Sequence, residues 1–159
     1  KEYFDLIDRI KTIIPDCGIS HDMITGFPTE TEEDHQETLS LMERVKYDFG
    51  YMFYYSERPN TYAERKMEDD IPLEVKKRRL NDIIQMQQKH SLENNKKHLG
   101  KIEEVLIEGT SKKSADEWYG RSPQNTVVVF PKGDEKPGDF VKVKIETCTT
   151  ATLLGKRAE

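Results

Sequence analysis

The run Asp22-Met23-Ile24-Thr25-Gly26-Phe27-Pro28-Thr29-Glu30-Thr31 constrains the fold more than any other stretch of this chain. An extended apolar segment climbs to Gly26, turns through Phe27-Pro28, and opens a helix with a threonine and the acids Glu32, Glu33 and Asp34. Strand, turn and helix in that order form the unit of α/β folds, which place ligand-binding backbone at the strand's carboxyl end.

The flanks continue the same rhythm. Tyr3, Leu6, Ile7, Ile10, Ile13 and Ile14 make one helical stripe that Pro15 ends, the pattern of an amphipathic helix lying on a sheet. Residues 17–26 then alternate, with Ile19, His21, Met23 and Thr25 on one face and Ser20, Asp22, Ile24 and Gly26 on the other. A parallel strand buried on both sides reads as continuously apolar. Ser20 and Asp22 break that rule, which predicts either a polar cavity on their side or a hydrogen-bonded brace between strands. A helix from Thr31 to about Val45 turns Leu39, Met42 and Val45 inward, and the aromatic run Phe49–Tyr55 reads as the next strand. The aromatic character of Tyr51, Tyr54 and Tyr55 suits a core.

From Pro72 a long helix is predicted to about Leu99, apolar early at Leu80, Ile83 and Ile84. Its second half (Gln85, Gln87, Gln88, Lys89, Glu93, Asn94, Asn95) is polar nearly all round and reads as a solvent-exposed connector. The Lys76-Lys77-Arg78-Arg79 cluster spans every side of that helix and reads as surface. Past Gly100 the period changes to two, at Val105/Ile107, Val127–Phe130, Val141/Val143/Ile145 and Ala151–Leu154, with Pro, Gly and Asp turns between. Several short strands in so few residues favour a small barrel or sandwich. Two domains are therefore expected, residues 1–97 and 98–159.

Composition restricts the function. No apolar run approaches the roughly 20 residues of a membrane helix, no signal peptide is visible, and a cytoplasmic protein is expected. The absence of an initiator Met suggests a piece of a longer chain. The two cysteines, Cys17 and Cys148, lie far apart with no metal-binding spacing. The net charge of −5 resides in residues 1–97; residues 98–159 balance ten acids with ten cations. Nucleic-acid binding would have to rest on a local cluster.

Ser20–Asp34 resembles the fifth-strand motif of the radical S-adenosylmethionine methylthiotransferases, and Tyr55-Ser56-Glu57-Arg58-Pro59-Asn60-Thr61-Tyr62-Ala63 resembles their sixth-strand end. Val105–Ser114, followed by Gly120-Arg121-Ser122, is similar to the TRAM domain of the MiaB subgroup, which modifies isopentenyl-adenosine beside the tRNA anticodon. The resemblance is collinear over essentially the whole chain. It implies the last part of a (βα) barrel followed by a small OB-like TRAM barrel. It also implies S-adenosylmethionine and two [4Fe–4S] clusters as cofactors of the full-length enzyme, and tRNA as partner. The CxxxCxxC loop that holds the first cluster is not in this sequence, so the chain alone is expected to be inactive. Two other readings stand beside this one: an RNA-binding module without catalysis, and the related ribosomal-protein methylthiotransferase.

The resemblance also assigns residues. Ile24, Gly26 and Glu30 would wall the cofactor site, with Glu30 equally readable as a helix-start acid. Ser56 and Arg58 would complete the site, Arg58 meeting a carboxylate or phosphate. Lys112, Lys113, Trp118, Arg121 and Lys142 would contact tRNA, with Tyr119 among them. The family commonly has Gly where Thr29 and Asn60 stand. Asn tolerates left-handed backbone, whereas β-branched Thr29 is expected at negative φ. The short parallel sheet is expected to leave open edges, through which copies could associate.

Overall fold

The computed structural model describes residues 1–158. The chain forms two compact units, one of residues 20–90 and one joining residues 1–19 to 91–159.

In the unit of residues 20–90, β1 (Ser20–Thr25) and β2 (Phe49–Tyr54) pair in parallel, from Ser20 opposite Phe49 to Thr25 opposite Tyr54. The connecting helix α2 (Glu32–Val45) starts where the sequence placed it. Thr31 accepts from the Asp34 amide while Asp34 accepts from the Thr31 amide, so aspartate closes the capping box. Met42 and Val45 are fully buried, as the helical stripe requires, and so is His35. A short helix α3 (Tyr62–Lys66), capped by Thr61, precedes α4 (Leu73–Lys96). Among the described residues β1 pairs only with β2, so each keeps an open edge.

Helix α4 departs from the sequence reading. Its second half is not a solvated connector: Gln87, His90, Ser91, Asn94 and Asn95 are all buried. These buried polar side chains are tolerated because they find partners, although His90 Nδ1 has none. Gln87 donates to the Tyr47 carbonyl at 2.8 Å and its oxygen meets His21 Nε2 at 2.9 Å. His90 meets Glu43 at 2.9 Å. Gly50 is required here, because a Cβ would stand 2.2 Å from the His21 ring. The 76–79 cluster is likewise not all surface: Lys76 and Arg79 are buried, and only Lys77 and Arg78 face solvent. Tyr51 and Tyr54, expected in a core, are exposed, and Tyr55 alone of the three is buried.

In the other unit, α1 (Glu2–Ile13) buries Ile7 and leaves Tyr3, Leu6, Ile13 and Ile14 exposed, so most of the stripe that predicted a sheet-covering helix is uncovered. The strands β3 (Ile102–Thr110), β4 (Glu117–Arg121), β5 (Val127–Pro131), β6 (Phe140–Cys148) and β7 (Thr152–Arg157) close a barrel in the order β3-β4-β5-β7-β6. All pairs are antiparallel except β5 with β7. The alternating residues fill its centre: Val105 and Ile107, Val128 and Phe130, Val143 and Ile145, and Leu153. The last turns of α4 join this unit through Asn95, whose amide donates to the Thr149 carbonyl at 2.9 Å. Strand β4 has no signature in the sequence, because its polar and aromatic residues carry no apolar alternation.

Candidate functional site

At the carboxyl ends of β1 and β2 the turn is built from behind. Gly26 has φ of 69°, and its amide donates to Glu30 Oε2 at 2.9 Å. Glu30 Oε1 accepts from Thr25 Oγ1 at 3.1 Å and from Arg79 at 2.8 Å, and Arg79 also donates to the Glu30 carbonyl. Beneath Gly26 runs the Lys76 side chain, so a Cβ there would meet Lys76 Cγ at 2.5 Å. The Lys76 ammonium donates to both Asp69 oxygens at 2.6 Å and to the Tyr55 carbonyl at 3.3 Å. One buried helix face thus ties together the two strand ends that precede the turns.

Thr29 has φ of 73° and Asn60 of 69°. The Asn60 expectation holds; the Thr29 expectation of negative φ does not. The amide of Thr29 is held by Asp70 Oδ1 at 2.8 Å, and Glu30 is fixed by Arg79, so the flanking anchors force a conformation that the β-branched side chain disfavours.

In front of the turn, Ile24, Ser56 and Arg58 line a hollow of about 250 Å3 with Phe27, Phe53, Tyr54, Tyr55 and Thr61. Its wall is apolar and uncovered, with Ile24 and Phe53 each 56% exposed. Among the described residues no ion pair engages the Arg58 guanidinium, while the Arg58 carbonyl is held by Thr61. Three of the five expected cofactor residues therefore converge on one hollow, whereas Gly26 and Glu30 shape it from the rear. Nothing local in the run of four cations marks Lys76 and Arg79 as the two that turn inward.

On the barrel, Lys112, Lys113 and Arg121 line a second hollow, of about 460 Å3, with Glu108, Glu117 and Tyr119. Arg121 reaches Glu108 at 3.5 Å and donates to the Asn125 carbonyl at 3.0 Å. The strand period separates the two aromatics of β4. Trp118 packs against the barrel core and carries the Lys132 ammonium 4.3 Å from its ring centre, so it is turned away from this hollow. Tyr119 takes the outer face. Lys142 of β6 stands opposite Glu104 of β3 and is not among the residues lining this hollow.

The TRAM domain family matches residues 96–157, the whole five-stranded barrel. The tRNA-2-methylthio-N(6)-dimethylallyladenosine synthase of Christiangramia forsetii is 67% identical over 98% of this chain. The synthases of the same name from Amoebophilus asiaticus and Flavobacterium johnsoniae are 61% and 58% identical over 97% and 98%. The chain is similar to these synthases along nearly its whole length. It spans about a third of the length of the curated synthases it matches, 32% in each of these three. The synthase similarity runs through both units, whereas the TRAM match is confined to the barrel and the end of α4. Among solved structures, a conserved protein of Methanococcus maripaludis is 24% identical, covers 38% of this chain and 80% of its own, and has a TM-score of 0.32, too weak to bear on the fold. Among the described residues no three His, Cys, Asp or Glu side chains group to hold a metal ion, and no helix is long and apolar enough to cross a membrane.

Proposed function

We propose that this chain supplies one wall of the S-adenosylmethionine site and the tRNA-gripping domain of a cytoplasmic methylthiotransferase that modifies C2 of dimethylallyl-adenosine beside the anticodon. The observation that carries the reading is the identity of 67% along nearly the whole chain, through both hollows. In it, β1, α2 and β2 are the last part of a (βα) barrel.

The hollow at Ile24 suits part of this cofactor. Its exposed aromatic and aliphatic wall matches an adenosyl group, and the unpaired Arg58 matches a carboxylate. When bound, S-adenosylmethionine supplies the methyl group and the radical chemistry. The chain's own part is to place it: Glu30 and Arg79 fix the Gly26 turn, Lys76 fixes the Tyr55 end, and Ile24, Ser56 and Arg58 meet the ligand. The described residues do not fit a [4Fe–4S] cluster, which needs several thiolates, since the two cysteines are separate and both free. The barrel's Lys112, Lys113 and Arg121 are the candidates for phosphate contact.

The test is nucleoside mass spectrometry of tRNA from a strain lacking the gene. Loss of the 2-methylthio nucleoside and its accumulation as the unthiolated dimethylallyl form are expected; persistence of the thiolated form overturns the reading. In the full-length enzyme, Arg58→Ala should weaken equilibrium binding of S-adenosylmethionine by about tenfold, the loss of one charged hydrogen bond.

A further inference from the structure

The outer face of the barrel carries a row of side chains that solvent alone does not explain. Tyr119 of β4 stands in register with Val129 of β5, and Val129 with Leu154 of β7. The next row is Arg121, Val127 and Thr152. A barrel alternates apolar inside and polar outside, and the inside positions are already filled by Val128, Phe130 and Leu153. Here the outside positions of β5 are also valines, both half-buried, and together with Tyr119 and Leu154 they floor the 460 Å3 hollow. Gly109 of β3 sits beside Tyr119, where a Cβ would press on the ring edge at 3.3 Å. The missing side chain leaves space for the ring at the strand irregularity between Ile107 and Gly109.

The rim has a definite charge arrangement. Lys112, Lys113 and Arg121 supply cations, and Glu108 and Glu117 supply carboxylates. Arg121 is partly neutralised by Glu108, which leaves the two lysines as the free cationic part of the rim. Phosphate is favoured at the lysines and repelled over the floor. A flat, apolar group with hydrogen-bond donors on its edge is favoured on the floor itself.

We infer that this hollow receives one unstacked nucleobase of single-stranded RNA, laid on Tyr119, Val129 and Leu154, with its backbone phosphate at Lys112 and Lys113. The inference rests on the tRNA reading above and deepens it: the barrel reads a splayed loop nucleotide rather than the backbone of a duplex. Aromatic stacking on an outer strand face is the general way proteins hold single-stranded bases. Glu108 and Glu117 then offer acceptors to exocyclic amino groups, which favours amino-bearing bases over uracil.

The experiment uses the full 159-residue chain and two RNA probes of equal length, a stem closed by a seven-nucleotide loop and a blunt duplex, titrated across a salt series. The loop RNA is expected to bind more tightly. Tyr119→Ala should weaken the loop RNA by about tenfold, the usual scale of one stacked base, and leave the duplex and the salt slope unchanged. Tyr119→Phe should retain binding, which separates stacking from misfolding. Lys112→Ala with Lys113→Ala should lower both affinities and flatten the salt slope. Equal weakening of loop and duplex by Tyr119→Ala, or none, overturns the base pocket while salt-dependent binding keeps the RNA reading. Salt-independent or absent binding of both RNAs overturns the RNA reading and the pocket with it, and leaves the hollow to a protein ligand.

Discussion

The Arg79 guanidinium lies 2.8 Å from the Glu30 carboxylate, with the two side chains only 5% and 15% exposed. Through that contact a helix that follows the sheet in sequence holds the turn that precedes it. Arg79→Met leaves Glu30 nearly buried without its cation, and should cost about 3 kcal/mol in chemical denaturation, as for other broken buried pairs. The double variant with Glu30→Gln should cost less than the sum of the single changes, because each has already removed the same contact.

Thr29 carries backbone strain at φ of 73°. Thr29→Gly removes the clash of a β-branched side chain and should stabilise the chain by about 1 kcal/mol, read as a rise of a few degrees in the thermal midpoint. Asn60→Gly, at nearly the same φ, should be close to neutral, since Asn already tolerates it.

His21 gives the fold a pH dependence. Gln87 spends its amide on the Tyr47 carbonyl and turns its oxygen to His21 Nε2, so that nitrogen carries the hydrogen. Nδ1 is then bare and buried without a partner. Burial pushes the imidazole below its ordinary value of 6.5, against smaller opposing effects of the Gln87 bond and the Asp22 charge. The unfolded chain takes up a proton below 6.5 and the folded chain resists it, so stability present above 6.5 is lost as pH falls toward the lower folded value. The thermal midpoint should drop between pH 7.5 and 5.5, and His21→Gln should drop less over that interval while starting lower.

Asn95 is buried with its amide on the Thr149 carbonyl. Asn95→Ala should destabilise by about 1 kcal/mol, the net contribution of one hydrogen bond. A solvated helix face would give a change near zero, so denaturation of this one variant distinguishes the two views of α4.

Much of the fold is readable in the sequence where a single period governs. The capping box at Thr31, the inward Met42 and Val45, and the alternation through Val141, Val143 and Ile145 follow from local spacing. The failures lie where burial depends on a partner far along the chain. Lys76 and Arg79 look identical to Lys77 and Arg78 until Asp69 and Glu30 are brought beneath them. Gln87 and His90 are polar by type but buried through Tyr47 and Glu43. Tyr51 and Tyr54 err in the other direction, since hydrophobic character alone does not say that a neighbour covers it. For the candidate site, the family resemblance pointed to Ile24 and Arg58, which line one hollow, but only strand register separates Tyr119 from Trp118.

The parallel pairing of β5 with β7 sets an order of assembly. β7 fills the gap between β5 and β6, although it is made after both. On the ribosome, β3, β4 and β5 can pair as soon as they emerge, and β6 can join β3, but two strand edges stay unpaired until residues 152–157 are synthesised. For that interval the nascent barrel carries adhesive edges, and a stall or premature stop just before Thr152 would yield an open, aggregation-prone sheet rather than a smaller barrel.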